Sequence, residues 1–269
     1  MADHEFQAGS PCHVPLGLTV AFSLRQFSEI FKIRDATGRP YIIIGGQAVN
    51  YWAERYLAVE PELEELQPFT SEDIDFKGGL EDVRRIARQL QLTPGYPAKV
   101  EMTALAGIIP FRIDGHKSNI EVVRRIPGVS GSVDALAVEA KSNGKTIRVL
   151  DPISLLACKL ELVARVSQEN RRDVAHLKIL RLCIRAFLNE FLQQVESGEI
   201  PVRHWLGAAN RVLKLTTTSR AQKIAGQHQI QWPEILPRPA IAKCQNEKIR
   251  RFRERQLERA YNKFMGTST

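Results

Sequence analysis

The sequence predicts an α/β N-terminal half followed by a helical half, with the boundary near residue 150. Three observations carry this. Short apolar or β-branched runs bounded by turn residues recur up to Leu150. Beyond Asp151-Pro152, apolar residues recur at helical spacing in every long segment. The length of 269 residues suits roughly two domains at about 150 residues each.

The elements follow in order. Residues 1 to 18 hold Gly, Pro and Ser with little periodicity and predict a loose lead-in, with an α/β domain over 19–150 and a helical domain over 151–269. Leu24, Phe27, Ile30 and Phe31 predict an amphipathic helix over 18–35, ended by the turn residues of Asp35 to Pro40. Tyr41 to Ile44 is a buried strand closed by Gly45-Gly46, and Gln47 to Tyr56 is a helix. Glu60 to Gln67, with four glutamates, reads as a surface insertion of solvated charge. Phe69 to Lys77 is the second strand and Glu81 to Leu90 a helix, while 98–106 fits either type. Ile108 to Asp114 and Asn119 to Ile126 are strands joined by an Asp114-Gly115 hairpin turn, and Thr146 to Leu150 is one more strand. Helices are predicted over 154–166, 172–195, 202–215 and 246–264.

Composition narrows the class. Hydrophobic residues at 43% and charged residues at 25% exclude a disordered or collagen-like chain. The longest apolar runs, Tyr41 to Ile44 and Leu105 to Ile109, fall far short of the roughly 20 residues that span a bilayer, so no membrane contact is expected. Met1 to Ser10 lacks the apolar core of a secretory signal, and Cys12, Cys158, Cys183 and Cys244 form no CxxC pair. A cytoplasmic protein with reduced thiols and no zinc site is the expectation. Lys plus Arg exceeds Asp plus Glu by 38 to 30, a net of +8, which favours polyanionic partners. Between Lys243 and Lys263, eight basic residues face three acids, so +5 of that excess lies in the last tenth of the chain, most of it on one predicted helix. That helix fits an RNA partner, for example the 3′ end of a tRNA, although Arg250, Arg253, Glu254 and Glu258 fit a solvated helix laced by i,i+4 pairs equally well. No RRM or KH signature accompanies it.

The chemistry concentrates in Ser71-Glu72-Asp73-Ile74-Asp75-Phe76. On a strand, residues two apart share a face, so Asp73 and Asp75 present paired carboxylates while Ile74 and Phe76 enter the core. Facing carboxylates repel, and a hard divalent cation such as Mg²⁺ relieves that repulsion. Upstream, Gly45-Gly46 lies between a strand and a helix N-terminus, a seat for phosphate or simply a tight turn. A third acid, Glu121, interrupts an otherwise apolar strand. Asp114 competes for that role, but its Asp-Gly context fits a turn better. The histidines, His116 among them, read as surface or packing residues. Neither a Ser-His-Asp nor a Cys-His arrangement is present, and Gly144-Lys145-Thr146 lacks the upstream glycine of a P-loop.

The run Ile42-Ile43-Ile44-Gly45-Gly46 followed by Thr70-Ser71-Glu72-Asp73-Ile74-Asp75-Phe76 resembles the signature of the nucleotidyltransferase superfamily with the polymerase-β-type fold, closest to the bacterial abortive-infection toxins of AbiEii type. The resemblance covers about residues 40 to 180 and implies a small mixed sheet with flanking helices and a C-terminal helical domain. It implies transfer of a nucleoside monophosphate from a nucleoside triphosphate to a hydroxyl acceptor, with Asp73, Asp75 and Glu121 holding Mg²⁺ or Mn²⁺. The nucleotide phosphates would lie against Gly45, Gly46 and Gln47 beside Ser71. Lys159 resembles the family's helical lysine, and Arg172-Asp173 its basic-Asp pair, with Asp173 orienting a cation. Lys159 also fits a surface lysine that snorkels. An RNA or protein substrate and an antitoxin partner are further implications. The chain departs from the pattern in three places: the Gly46-to-Asp73 spacing is long, Asn170 replaces a basic residue beside Arg171, and His176 replaces an aspartate. An aminoglycoside-type enzyme and a catalytically silent nucleic-acid-binding module are the alternatives. The net positive charge weighs against the first, and three retained acids weigh against the second.

Overall fold

The computed structural model describes residues 20–98 and 103–264. The expected lead-in at 1–18 and part of the 98–106 segment lie outside them. A six-stranded mixed sheet carries flanking helices on its faces and leads into a helical half.

The first helical segment, Leu24–Lys32, is a 3₁₀ helix rather than the α-helix expected over 18–35. Its buried Leu24, Phe27 and Ile30 recur every three residues, the repeat at which 3₁₀ side chains stack in line. It starts where the Gln26 side chain accepts the Ser23 N–H, at 2.9 Å, and gives way to a turn in which Asp35 accepts the N–H groups of Thr37 and Arg39. The central strand β1 (Ile42–Ile44) follows, wholly buried, and runs straight into α1 (Gly45–Tyr56).

The glutamate stretch departs most from expectation. Pro61–Leu66 is a 3₁₀ turn with Leu63 buried, and Glu60 is itself buried. Glu60 is bonded to Arg185, and Glu62 to Arg181 and Arg185. This is a docking contact onto the helical half; the arginines that neutralise it lie over a hundred residues away in sequence, so local charge reads as solvated.

Next come β2 (Asp73–Lys77), α2 (Leu80–Leu90), β3 (Leu105–Ile113) and β4 (His116–Val123). The β3–β4 hairpin turns on Asp114 and Gly115, both at positive φ, as the Asp-Gly pair predicts. A second hairpin, β5 (Ala137–Ser142) and β6 (Lys145–Leu150), turns on Asn143 and Gly144, again both at positive φ. Gly144 therefore belongs to a tight turn. The sheet order is β3-β4-β2-β1-β6-β5, with β2–β4 and β1–β6 parallel.

In the helical half, Asp151 caps α3 (Pro152–Arg165) by accepting the N–H groups of Ile153 and Ser154, with Pro152 at the first helical position. Helices α4 (Asp173–Glu196), α5 (Val202–Thr216), α6 (Ser219–His228) and α7 (Arg238–Lys243) follow, α6 and α7 being additions to the predicted set. The basic helix is α8 (Glu247–Phe252), a π turn at Arg253–Leu257 and α9 (Glu258–Phe264). Its buried residues Ile249, Phe252, Leu257 and Ala260 include a five-residue step from Phe252 to Leu257, which a π turn accommodates and an ideal α-helix does not. One hydrophobic core runs through both halves, with α1 packed on α3 and α4, and the Trp52 indole donates to the Leu150 carbonyl at 2.8 Å. Among the described residues no helix is long and apolar enough to cross a membrane.

Candidate active site

Strand β2 places the two aspartates. Its residues alternate half-buried and buried, so Asp73 and Asp75 share one face and Ile74 and Phe76 enter the core. Strand β4 runs parallel beside it with Asp75 opposite Glu121 and Asp73 opposite Asn119. Paired positions on neighbouring strands point to the same side, so the third acid joins the first two. All three line a cleft of about 550 Å³, along with Gly45, Gly46 and Ser71.

Antiparallel pairing of Ile44 with Asp75 delivers the start of α1 to the same place. Gly45 has φ of +67°, and a side chain there would run into the Asp75 carboxylate. A Cβ on Gly46 would lie 2.7 Å from Ser71 Oγ. The two glycines thus let β2 close onto the helix N-terminus, where the Gly46 N–H donates to Asp75 and Ser71 Oγ donates to Asp73 at 3.2 Å. Gln47 is corrected. Its amide is wholly buried and donates to the Phe22 carbonyl at 2.9 Å, anchoring the segment before the first helical turn instead of facing the cleft.

On the opposite wall, Lys159 is not a snorkelling surface residue. Its side chain is 6% exposed and donates to Asp173 at 2.7 Å; Asp173, 3% exposed, also accepts from Arg171 Nε at 2.7 Å. Burial alone would raise the Asp173 carboxyl, but Lys159 and Arg171 outweigh it and hold it below the ordinary range. Asp173 therefore orients two cations. Arg172 lies on the cleft wall and reaches across to the carbonyls of Thr70 (2.7 Å) and Pro68 (3.0 Å), bracing the approach to β2.

The acids behave in the opposite way. Burial raises Asp75 well above the usual carboxylate range, and the charges of Asp73 and Glu121 add to it. Asp73 and Glu121 are raised as well, first by burial. As they stand, the three do not form a closed ligand set: among the described residues no three His, Cys, Asp or Glu side chains converge closely enough to hold an ion. The donors are nonetheless all hard oxygens on one face, and their mutual repulsion is what a divalent cation relieves, so a magnesium-type ion fits their chemistry.

Among the cleft residues outside the predicted set, Arg125, Arg171 and His176 bear most on its chemistry. Arg124-Arg125 directly follows the Glu121 strand, and Arg171 stands two residues before Asp173; both are visible signals. His176 is buried against Gly46 with neither ring nitrogen hydrogen-bonded among the described residues. Burial, and then the positive charge of Lys159, lowers its pKa to about 3, so it is neutral. No family model, curated protein or solved structure matches this chain.

Proposed function

We propose that the chain is a divalent-cation-dependent nucleotidyltransferase that moves a nucleoside monophosphate from a nucleoside triphosphate to a hydroxyl acceptor, releasing pyrophosphate. The observation that carries the proposal is the register of β2 and β4, which sets Asp73, Asp75 and Glu121 on one face of a cleft whose other wall is cationic. Asp73, Asp75 and Glu121 would hold Mg²⁺ or Mn²⁺, which when bound supplies neutralisation of charge on the phosphate oxygens.

The chain's own groups do the rest. Arg171 spends its Nε on Asp173, leaving its terminal N–H groups for triphosphate oxygens, and Arg125 adds positive charge on the same cleft. Lys159, held by Asp173, contributes positive potential from behind. In this reading Glu121, whose affinity for protons burial raises, accepts the proton of the attacking hydroxyl. The basic C-terminal helix favours RNA as the acceptor.

The test is transfer of label from each α-labelled triphosphate, with Mg²⁺ or Mn²⁺, into separate RNA, protein and aminoglycoside pools. The proposal expects cation-dependent transfer by the native chain and none by Asp73→Asn or Asp75→Asn variants that remain folded by circular dichroism. Undiminished transfer by both variants refutes it.

A further inference from the structure

Away from the cleft, α5 and the C-terminal helix enclose a groove of about 270 Å³ lined by Lys214, Arg255, Arg259 and Lys263, with Asn210 and Thr217 beside them. Arg255, Arg259 and Lys263 recur every four residues along one helix face, and Lys214 faces them from α5. All four are exposed, and none makes an ion pair with a described residue. Arg165 and Arg220 pair with Glu161, Arg251 with Glu247, and Arg185 with Glu60 and Glu62, while other surface cations such as Lys248 and Arg250 make no ion pair with a described residue; what sets the four apart is that they line one groove. No acid lines the groove. Four converging like charges repel, and a polyanion is the ligand class that relieves the repulsion.

A hollow of about 300 Å³, between Gly128, Glu161 and Arg220, is lined by Leu215 and Thr218, chain neighbours of Lys214 and Thr217 in the groove. Its other wall is Gly128 and Ala157, chain neighbours of the cleft residues Pro127 and Cys158. That hollow carries one cation, Arg220, which pairs with Glu161, so the unpaired positive charge is confined to the groove itself.

We propose that this groove binds the phosphodiester backbone of a helical RNA stem. Among the described residues no aromatic side chain lines the groove, so they offer no stacking platform for unpaired bases. Cations with amide and hydroxyl groups suit the phosphates and 2′-hydroxyls of an A-form helix. The proposal rests on the nucleotidyltransferase reading for the purpose of the site, but its test reads binding rather than turnover.

The test uses the full chain and a labelled RNA hairpin with a single-stranded 3′ end, followed by fluorescence anisotropy from about 50 to 200 mM salt. Arg255→Gln/Arg259→Gln should weaken binding about tenfold and flatten the log–log salt dependence by about 2, one for each phosphate that is no longer neutralised. Lys214→Gln, on the facing helix, should flatten it by about 1. Unchanged affinity and salt dependence in both variants overturns the proposal. So does equal binding of a DNA hairpin of the same sequence, or preference for vesicles of phosphatidylserine and phosphatidylcholine. If the native chain binds RNA through these residues yet transfers no nucleotide to any acceptor, the catalytic reading fails and the groove stands.

Discussion

Replacing Asp75 by Asn should make the cation-free protein more stable, not less. Asp75 lies in strand register with Glu121 and two residues from Asp73 on the same face. Two unit charges about 6 Å apart repel by roughly 3 kcal/mol at an effective dielectric of 20. Partial protonation and the opposing Lys159 charge reduce that, so a gain of about 1–2 kcal/mol at pH 7.5 is expected, or roughly 2–4 °C in Tm for each kcal/mol. The substituted side chain is isosteric, and its amide carbonyl can still accept the Gly46 N–H. A carboxyl whose folded pKa lies above its unfolded value binds protons more tightly when folded, so it adds stability as pH falls. The native chain should therefore gain stability on acidification from neutral toward the ordinary carboxylate range near pH 4, and the variant should gain less. Mg²⁺ should raise the Tm of the native chain by mass action and leave the variant nearly unmoved. Thermal melts over pH, with and without Mg²⁺, read all three effects. An Asp75→Asn variant destabilised at pH 7.5, or an equal Mg²⁺ shift in both proteins, would refute the reasoning.

Gly45→Ala combines positive φ with a clash against the Asp75 carboxylate and should cost about 2–4 kcal/mol in melts, whereas Gly46→Ala, whose tightest contact is the rotatable Ser71 hydroxyl with Ser71 Cβ and the His176 ring farther off, should cost less. Asp173→Ala strands the buried Lys159 ammonium and should cost about 3–5 kcal/mol by chemical denaturation, with Lys159→Met/Asp173→Leu recovering much of it. Arg185→Ala should cost about 2–4 kcal/mol, because it leaves Glu60 buried with its main partner gone; a loss under about 0.5 kcal/mol would return that stretch to solvent. Burial pushes the Cys158 thiol up to about 11, so iodoacetamide at pH 7.5 should leave it intact in the native fold and modify it only on unfolding.

How much of the molecule is legible in its sequence follows from the range of the interaction concerned. The faces of Asp73 and Asp75 depend only on the two-residue strand period, and the Asp114-Gly115 turn only on two adjacent backbones. The proximity of Glu121 needs one further inference, that β4 pairs beside β2, which an acid in an apolar strand suggests but does not prove. The Asn143-Gly144 turn carries the same local signal as Asp114-Gly115. It is harder to read because β5 is an edge strand with Glu139 and Lys141 on its exposed side, so its apolar alternation is weak. Glu60 and Gln47 mark the other limit. A glutamate among glutamates looks solvated and a glutamine after two glycines looks like a phosphate ligand, until Arg185 and the Phe22 carbonyl arrive from elsewhere in the chain. Lys159 obeys the same logic: whether it snorkels or is buried turns on Asp173, fourteen residues away across a helix junction. Local periodicity thus settles which way a side chain faces, and only the tertiary partner settles whether its charge is spent on the fold or kept for a ligand. By that measure Asp73, Asp75 and Glu121 are the informative group, because the fold sets them on one face of a cleft and Lys159 and Arg171 offset their burial and repulsion only in part.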